Sequence, residues 1–310
     1  MVEPRKFIEQ QIKSIKETIG DGKAVIALSG GVDSSVCAVL MHRAIGDKLT
    51  AAFIDDGLMR AGEPAQVTSL FRKRGINVRL VEAQGEFFSA MKGLTDPEEK
   101  RKAFRNTFYS VLGRVVKEEN ANWMVQGTIA ADIIETKGGV KTQHNILEQI
   151  GIDPQTYGLR ILEPVKELYK HEVRAVARAL KLPASVSERK PFPGPGLSVR
   201  VQGEVTPERV EIVRRATKIV EDGMKNVKSF QNLAILLSDK ATGVKDGKRL
   251  FGNIIVIRSV MSKDAMTARA TNVPWNTLKK LESMILKEIP EVTHVVYSLT
   301  DKPPATIEFQ

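Results

Sequence analysis

Val25-Ile26-Ala27-Leu28-Ser29-Gly30-Gly31-Val32-Asp33-Ser34-Ser35 is a short apolar run that ends in two glycines crowded by hydroxyls, then continues into the helix-compatible Val36-Cys37-Ala38-Val39-Leu40. The run reads as a strand. Gly30 and Gly31 can take positive φ and let backbone N–H groups approach an anion, and the following helix points its positive end at the same place. Strand, turn and helix together predict an α/β protein with a nucleotide phosphate site at Ser29 to Ser35. A Walker loop carries a Lys just before its Ser or Thr, whereas Val32-Asp33 stand before Ser34 here, so ordinary kinase or GTPase chemistry is disfavoured. A plain turn with Asp33 and Ser34 as helix caps explains one or two of these residues and not the whole set.

Working outward, Lys23 to Leu28, Leu49 to Ile54, Ile76 to Val81 and Trp123 to Gln126 are short, apolar and rich in β-branched residues, with helical patterns between them. That alternation predicts a doubly wound parallel sheet. Phe7, Ile8, Ile12, Ile15 and Ile19 fall at helical spacing and predict a helix over 5–19 packed against the first strand. In such sheets ligands bind beyond the carboxyl ends of the strands, where Ser29 to Ser35, Asp55-Asp56-Gly57 and Gly127-Thr128 fall.

Pro191-Phe192-Pro193-Gly194-Pro195-Gly196-Leu197 is the densest Pro and Gly cluster and can be neither helix nor central strand. It divides the chain into domains 1–190 and 191–310. Beyond it, Pro207 to Met224 and Asn276 to Ile289 carry helical stripes, while Ala234 to Leu237, Ile254 to Ile257, Val292 to Tyr297 and Ala305 to Phe309 read as strands. This second part is a smaller α+β domain suited to dimerisation.

Composition sets the outer limits. A chain of 310 residues with 42% hydrophobic content can bury a sizeable core, and its formal charge of +10 favours anionic partners. Cys37 is the only cysteine, which excludes an internal disulfide, a thiolate metal site and a redox pair. No apolar run reaches the ~20 residues that span a bilayer, and the first residues lack a signal-peptide core. A cytoplasmic protein without a membrane partner is the expectation.

Three further groups can carry chemistry. Asp55-Asp56-Gly57 can contact a ribose or hold a divalent cation, and equally can be an Asp-Gly turn. Asp132 and Glu135 lie one helical turn apart, just after Gln126-Gly127-Thr128, and equally can be the acids that a solvated helix N-terminus favours. Thr136 to Asn145, with Gly138, Gly139, Lys137 and Lys141, has the composition of a mobile lid whose cation would screen a departing pyrophosphate. Lys141 is the first choice for that cation.

Ser-Gly-Gly-x-Asp-Ser resembles the signature of the N-type ATP pyrophosphatases, which share an adenine nucleotide alpha hydrolase-like sheet. Gln126-Gly127-Thr128 with Asp132 and Glu135, Lys141-x-Gln-His-Asn145, Pro191 to Leu197, Asp264-x-Met-Thr-Ala268 and Lys302 to Glu308 together resemble the GMP synthetase family, in order and over nearly the whole chain. The resemblance implies an ATP- and Mg²⁺-dependent ligase that adenylates xanthosine monophosphate, releases pyrophosphate, and lets ammonia displace AMP to give GMP. It implies that the loop Ser29, Gly30, Gly31, Val32, Asp33, Ser34 and Ser35 holds pyrophosphate, with Asp33 helping to place Mg²⁺ and with Ile54 and Gly127 near the adenosine. Asp132, Glu135 and Lys141 would be the catalytic set. Lys302, Ile307 and Glu308, with Gln231, Arg258 and Arg101, would bind xanthosine monophosphate, and the C-terminal domain would form a homodimer.

Two departures narrow the resemblance. Gln143 stands where many members have the first of two lid histidines, and the glutaminase domain with its nucleophilic cysteine is missing. The chain is therefore similar to the synthetase subunit of the split form, which receives ammonia from a separate glutaminase. A basic face of Lys170, Arg174 and Arg178 on a helix over Glu167 to Leu180 is a candidate docking surface for that partner. A tRNA-thiolating enzyme shares the loop and would explain the charge, but it needs cysteines this chain does not have, so no nucleic-acid partner is expected. The remaining alternative is an ATP-binding regulatory dimer, against which Asp132, Glu135 and Lys141 argue.

Overall fold

The apolar run ahead of the glycines forms β1 (Ala24–Ala27), where Val25 and Ile26 are fully buried. A computed structural model describes residues 2–130, 132, 159–263 and 265–310. They fall into two compact units, one within Met1–Asp55, Pro64–Ala83 and Asn106–Arg189, the other within Asp56–Glu63, Gln84–Arg105 and Lys190–Gln310.

In the first unit α1 (Pro4–Ile19) precedes β1, and α2 (Val32–Ile45) follows it. β2 (Leu49–Asp55), α3 (Glu63–Arg72) and β3 (Val78–Glu82) come next. Among the described residues the sheet is five-stranded in the order β3-β2-β1-β4-β5, with β4 at Trp123–Val125 and β5 at Arg160–Leu162, and every pairing is parallel. Ile26 registers with Ala51 on one side and Val125 on the other. β1 is thus the central strand at which the chain order reverses, and the crevice beyond its carboxyl end is where such sheets bind ligands. The expected strands stand within two residues at each end, because buried parallel strands read as continuous apolar runs. The expected first helix is also present, with Phe7, Ile8, Ile15 and Ile19 buried, but its main neighbours are α2 and α6 (Lys170–Ala179). α7 (Ala184–Ser187) closes this unit.

The second unit contains α4 (Gln84–Met91), the start of α5 (Pro97–Glu118), α8 (Pro207–Gly223), β6 (Gln231–Lys245) and β7 (Lys248–Met261). β8 (Arg269–Ala270), α9 (Trp275–Glu288) and β9 (Val292–Tyr297) complete it. Thr206 caps α8 by accepting from Arg209 N, and Val210, Val213, Ala216 and Val220, spaced as a helical stripe, are buried. β6 and β7 form an antiparallel hairpin much longer than the apolar runs suggest, and β9 joins β7 in parallel. The hairpin turns at Asp246 (φ 51°) and Gly247 (φ 73°). Asp-Gly is the dipeptide such a turn favours, so the signal is present in the sequence.

One expected element is absent. Ala305 to Phe309 is not a strand. Its faces alternate as a strand's would, with Ile307 and Phe309 packed on Leu233, Ile235 and Val256. However, the carbonyls of Thr306 and Ile307 accept from the Arg258 side chain, so their hydrogen bonds go to a guanidinium instead of a neighbouring backbone.

Candidate active site

The loop after β1 is knitted by its own hydroxyls. Gly30 takes φ 71°, and Gly31 is the N-cap of α2 with no side-chain cap bond. The Oγ atoms of Ser29 and Ser34 lie 3.0 Å apart, Gly31 N donates to Ser29 Oγ at 3.3 Å, and Ser35 Oγ donates to Gly31 O at 2.6 Å. Val32, Ser34 and Ser35 are buried and Ser29 is exposed. Side chains thereby hold the turn in shape, while the first N–H groups of α2 remain directed at its mouth.

Gly127 closes the other wall. A Cβ there would lie 3.0 Å from Ser34 N and 3.1 Å from Asp33 C, so only glycine lets the end of β4 approach the loop this closely. Ile54 is buried at the carboxyl end of β2. Asp132 Oδ2 accepts from Ile129 N at 3.1 Å, which fixes the turn just beyond Gly127 and Thr128. Glu135, Lys141 and the expected lid lie outside the described residues.

Two cations reach the loop from distant positions. Lys170 Nζ lies 2.6 Å from Asp33 Oδ2, and Arg189 Nη1 donates to Gly30 O at 2.8 Å. No sequence motif marks either residue, because the contacts span 137 and 159 residues. The sequence groups Lys170 with Arg174 and Arg178 as a docking face. Arg178 pairs with Glu188 at 2.7 Å, and Arg174 with the same carboxylate at 3.5 Å. Glu163, just past β5, has no motif around it either; it accepts from Thr128 Oγ1 at 2.6 Å.

The other Asp33 oxygen, Oδ1, is buried without a hydrogen-bond partner among the described residues. Such an oxygen suits a hard divalent cation. Among the described residues no group of three or more His, Cys, Asp and Glu gathers as a metal site. Cys37 is fully buried beneath the loop with Sγ 3.8 Å from Gln126 O, and burial pushes its thiol well up, so it is not a nucleophile.

The residues suggested for nucleotide binding in the C-terminal half lie in the second unit. Glu308 accepts from Arg200 Nε at 3.0 Å and Nη2 at 2.9 Å, and from Gln231 Nε2 at 2.9 Å. Arg258 is fully buried, and its guanidinium donates to Ser298 Oγ and to the carbonyls of Thr300, Thr306 and Ile307. Lys302 Nζ donates to Ala265 O at 2.8 Å. Arg101 pairs with Glu98 one turn earlier on α5. Arg200, which the sequence does not single out, thus joins Gln231 and Glu308.

A glycine turn between a central parallel strand and a helix, with hydroxyls and an aspartate replacing the Walker lysine, defines a PP-loop ATP-binding protein. The family model described as PP-loop domain matches residues 4–184, and that described as GMP synthase C terminal domain matches residues 217–309. A subunit of the glutamine-hydrolyzing GMP synthase of Archaeoglobus fulgidus is 51% identical over 98% of this chain and 99% of its own length. The corresponding subunit from Thermococcus kodakarensis is 52% identical over 98% and 99%. A solved structure of an NH3-dependent NAD synthetase from Campylobacter jejuni aligns at TM-score 0.49 with 17% identity, covering 73% of this chain and 84% of that one. The chain belongs to the GMP synthase family, among the members in which the enzyme is divided into subunits.

Proposed function

We propose that this chain is the synthetase subunit of a two-chain GMP synthase, a ligase that converts xanthosine monophosphate to GMP with consumption of ATP. The observation that carries the reading is the loop itself: it offers backbone N–H groups to a pyrophosphate, while Lys170 and Arg189 supply positive charge. A site that grips the terminal phosphates without a Walker lysine suits transfer of AMP, with pyrophosphate as leaving group. The xanthine O2 attacks the α-phosphate, the bond to pyrophosphate breaks, and O2 then leaves C2 as part of AMP when ammonia adds and loses a proton.

Asp33 would hold Mg²⁺, which when bound would supply charge at the departing pyrophosphate. Ile54 and Gly127 would line the adenosine. Asp132 acts with Glu135 and Lys141, and Lys141 covers the phosphates. Lys302, Ile307 and Glu308, with Gln231, Arg258 and Arg101, serve the xanthine nucleotide. The division into domains 1–190 and 191–310 assigns ATP to one and this nucleotide and homodimerisation to the other. Ammonia comes from a separate glutaminase chain. Among the described residues no helix is long and apolar enough to cross a membrane, which is compatible with a cytoplasmic protein.

The test is formation of pyrophosphate and GMP by the isolated chain with Mg-ATP and xanthosine monophosphate, first with ammonium and then with glutamine. GMP with ammonium and none with glutamine is the expected result. Absence of pyrophosphate in both mixtures would return the tRNA-modifying and regulatory readings.

A further inference from the structure

Among the described residues the buried cations are Lys100, Arg200 and Arg258, and all three end on the last residues of the chain. Arg258 takes the carbonyls of Thr306 and Ile307, Arg200 takes the Glu308 carboxylate, and Lys100 donates to the Gln310 side chain. Burying a charge is costly, and a buried ion pair is weak evidence for stability, since apolar residues of similar volume often do as well. That all three converge on one tail calls for a reason other than stability.

The Arg200–Glu308 pair is the most directed of the three. The Arg200 side chain is 0% exposed and that of Glu308 18%, so the anchor is sealed while the carboxylate it holds is reachable. Two N–H groups of one guanidinium bind the two carboxylate oxygens, an arrangement that fixes the carboxylate plane as well as its position. Gln231 adds a third donor to Oε1. A carboxylate offers about four lone-pair sites. Capacity is left on Glu308 for N–H donors such as those on a xanthine ring.

The mount of Arg200 is rigid as well. Gly196 holds φ 60°, and a Cβ there would lie 2.5 Å from Leu58 O. Leu197 N donates to Leu58 O at 2.8 Å, and Ser198 Oγ donates to Pro195 O at 2.6 Å. The Arg200 Cζ stands 5.0 Å from the centroid of the Phe192 ring, which Arg60 also faces at 4.1 Å. The remaining nitrogen, Nη1, is buried and makes no hydrogen bond among the described residues. Two of the three guanidinium nitrogens are therefore spent on one carboxylate, and the Pro-Gly segment is the frame that carries them.

We infer that Arg200 is a positioning residue for the xanthine nucleotide, acting through Glu308, and that Pro191 to Arg200 is the scaffold that aims this carboxylate. The inference rests on the reading of Glu308 as a nucleotide contact. It is tested with the full chain by titrating xanthosine monophosphate calorimetrically into wild type, Arg200→Lys, Glu308→Gln and the double variant, with thermal midpoints and both Michaelis constants measured using ammonium.

Arg200→Lys keeps the charge and loses the fork. It is expected to weaken xanthosine monophosphate about tenfold or more, the usual effect of removing a group that orients a ligand. The Michaelis constant for ATP should stay within about twofold, and the double variant should be no more than about twofold worse than Glu308→Gln, as required of residues acting as one unit. Wild-type affinity in Arg200→Lys alongside a weakened Glu308→Gln would overturn the positioning role. So would losses that multiply in full in the double variant. Unchanged affinity in Glu308→Gln would instead remove the nucleotide reading beneath it. If Arg200→Lys does not fold, Phe192→Leu decides: loss of the ring from the guanidinium face should weaken the nucleotide about threefold, and no change would overturn the inference.

Discussion

Lys170 Nζ lies 2.6 Å from Asp33 Oδ2, so a cation that other phosphate loops carry within their own turn reaches this one from α6, 137 residues away. Both side chains are partly exposed, and the pair is for that reason a poor source of stability. Its position at the mouth of the loop gives it a different use. Lys170→Gln should slow pyrophosphate release by about 10- to 100-fold, in line with the ~1.5–3 kcal/mol of a hydrogen bond to a charged group. Unfolding should be little affected. A lower thermal midpoint with an unchanged rate per folded molecule would show that Lys170 only ties α6 to α2.

Gly127→Ala tests the wall opposite. Its Cβ would press on Ser34 N at 3.0 Å and Asp33 C at 3.1 Å, both main-chain atoms that cannot swing aside. The loop must shift as a whole, and ATP affinity measured by calorimetry should fall about tenfold or more, as expected when anion-binding N–H groups lose their alignment. Retained affinity would show that β4 can retreat from the loop.

Gly196→Ala addresses the frame of the second unit. The residue combines φ 60° with a Cβ position 2.5 Å from Leu58 O, so strain and clash add. Urea unfolding should show a loss of at least about 2 kcal/mol. A change within error would mean that the Leu58 segment moves freely.

Lys100 gives a pH dependence. Burial, and then Arg209, lower its ammonium from 10.5 to about 8. The folded state therefore binds this proton less tightly than the unfolded state. Below about pH 8 both states are protonated and the destabilisation is fully present. Between about 8 and 10.5 the unfolded state holds more protons, and this group's contribution to stability rises with pH. Thermal midpoints across that range should show wild type gaining on Lys100→Met. Parallel profiles would mean that the Lys100 proton is held equally in both states.

Neighbouring residues are enough to announce the strand, turn and helix of Val25 to Ser35, because glycine dihedrals, hydroxyl caps and a helix N-terminus are properties of consecutive residues. Strand runs such as Leu49 to Ile54 are readable for a similar reason: burial on both faces leaves a continuous apolar stretch. The Asp246-Gly247 hairpin is marked as well, although the polar arm beside it hides the length of β6 and β7. The tail is readable in its alternation but not in its bonding, since the carbonyls of Thr306 and Ile307 go to a side chain 48 and 49 residues earlier. Lys170 on Asp33, Arg189 on Gly30, Gly127 against Ser34 and Arg200 on Glu308 have no local signature. Each joins residues far apart in the chain, 108 in the last case, and such pairs meet only once the sheet order and the packing of helices have closed the intervening loops. Composition and short-range pattern therefore specify the loop and the class of chemistry, while long-range closure places the charges and carboxylates around it.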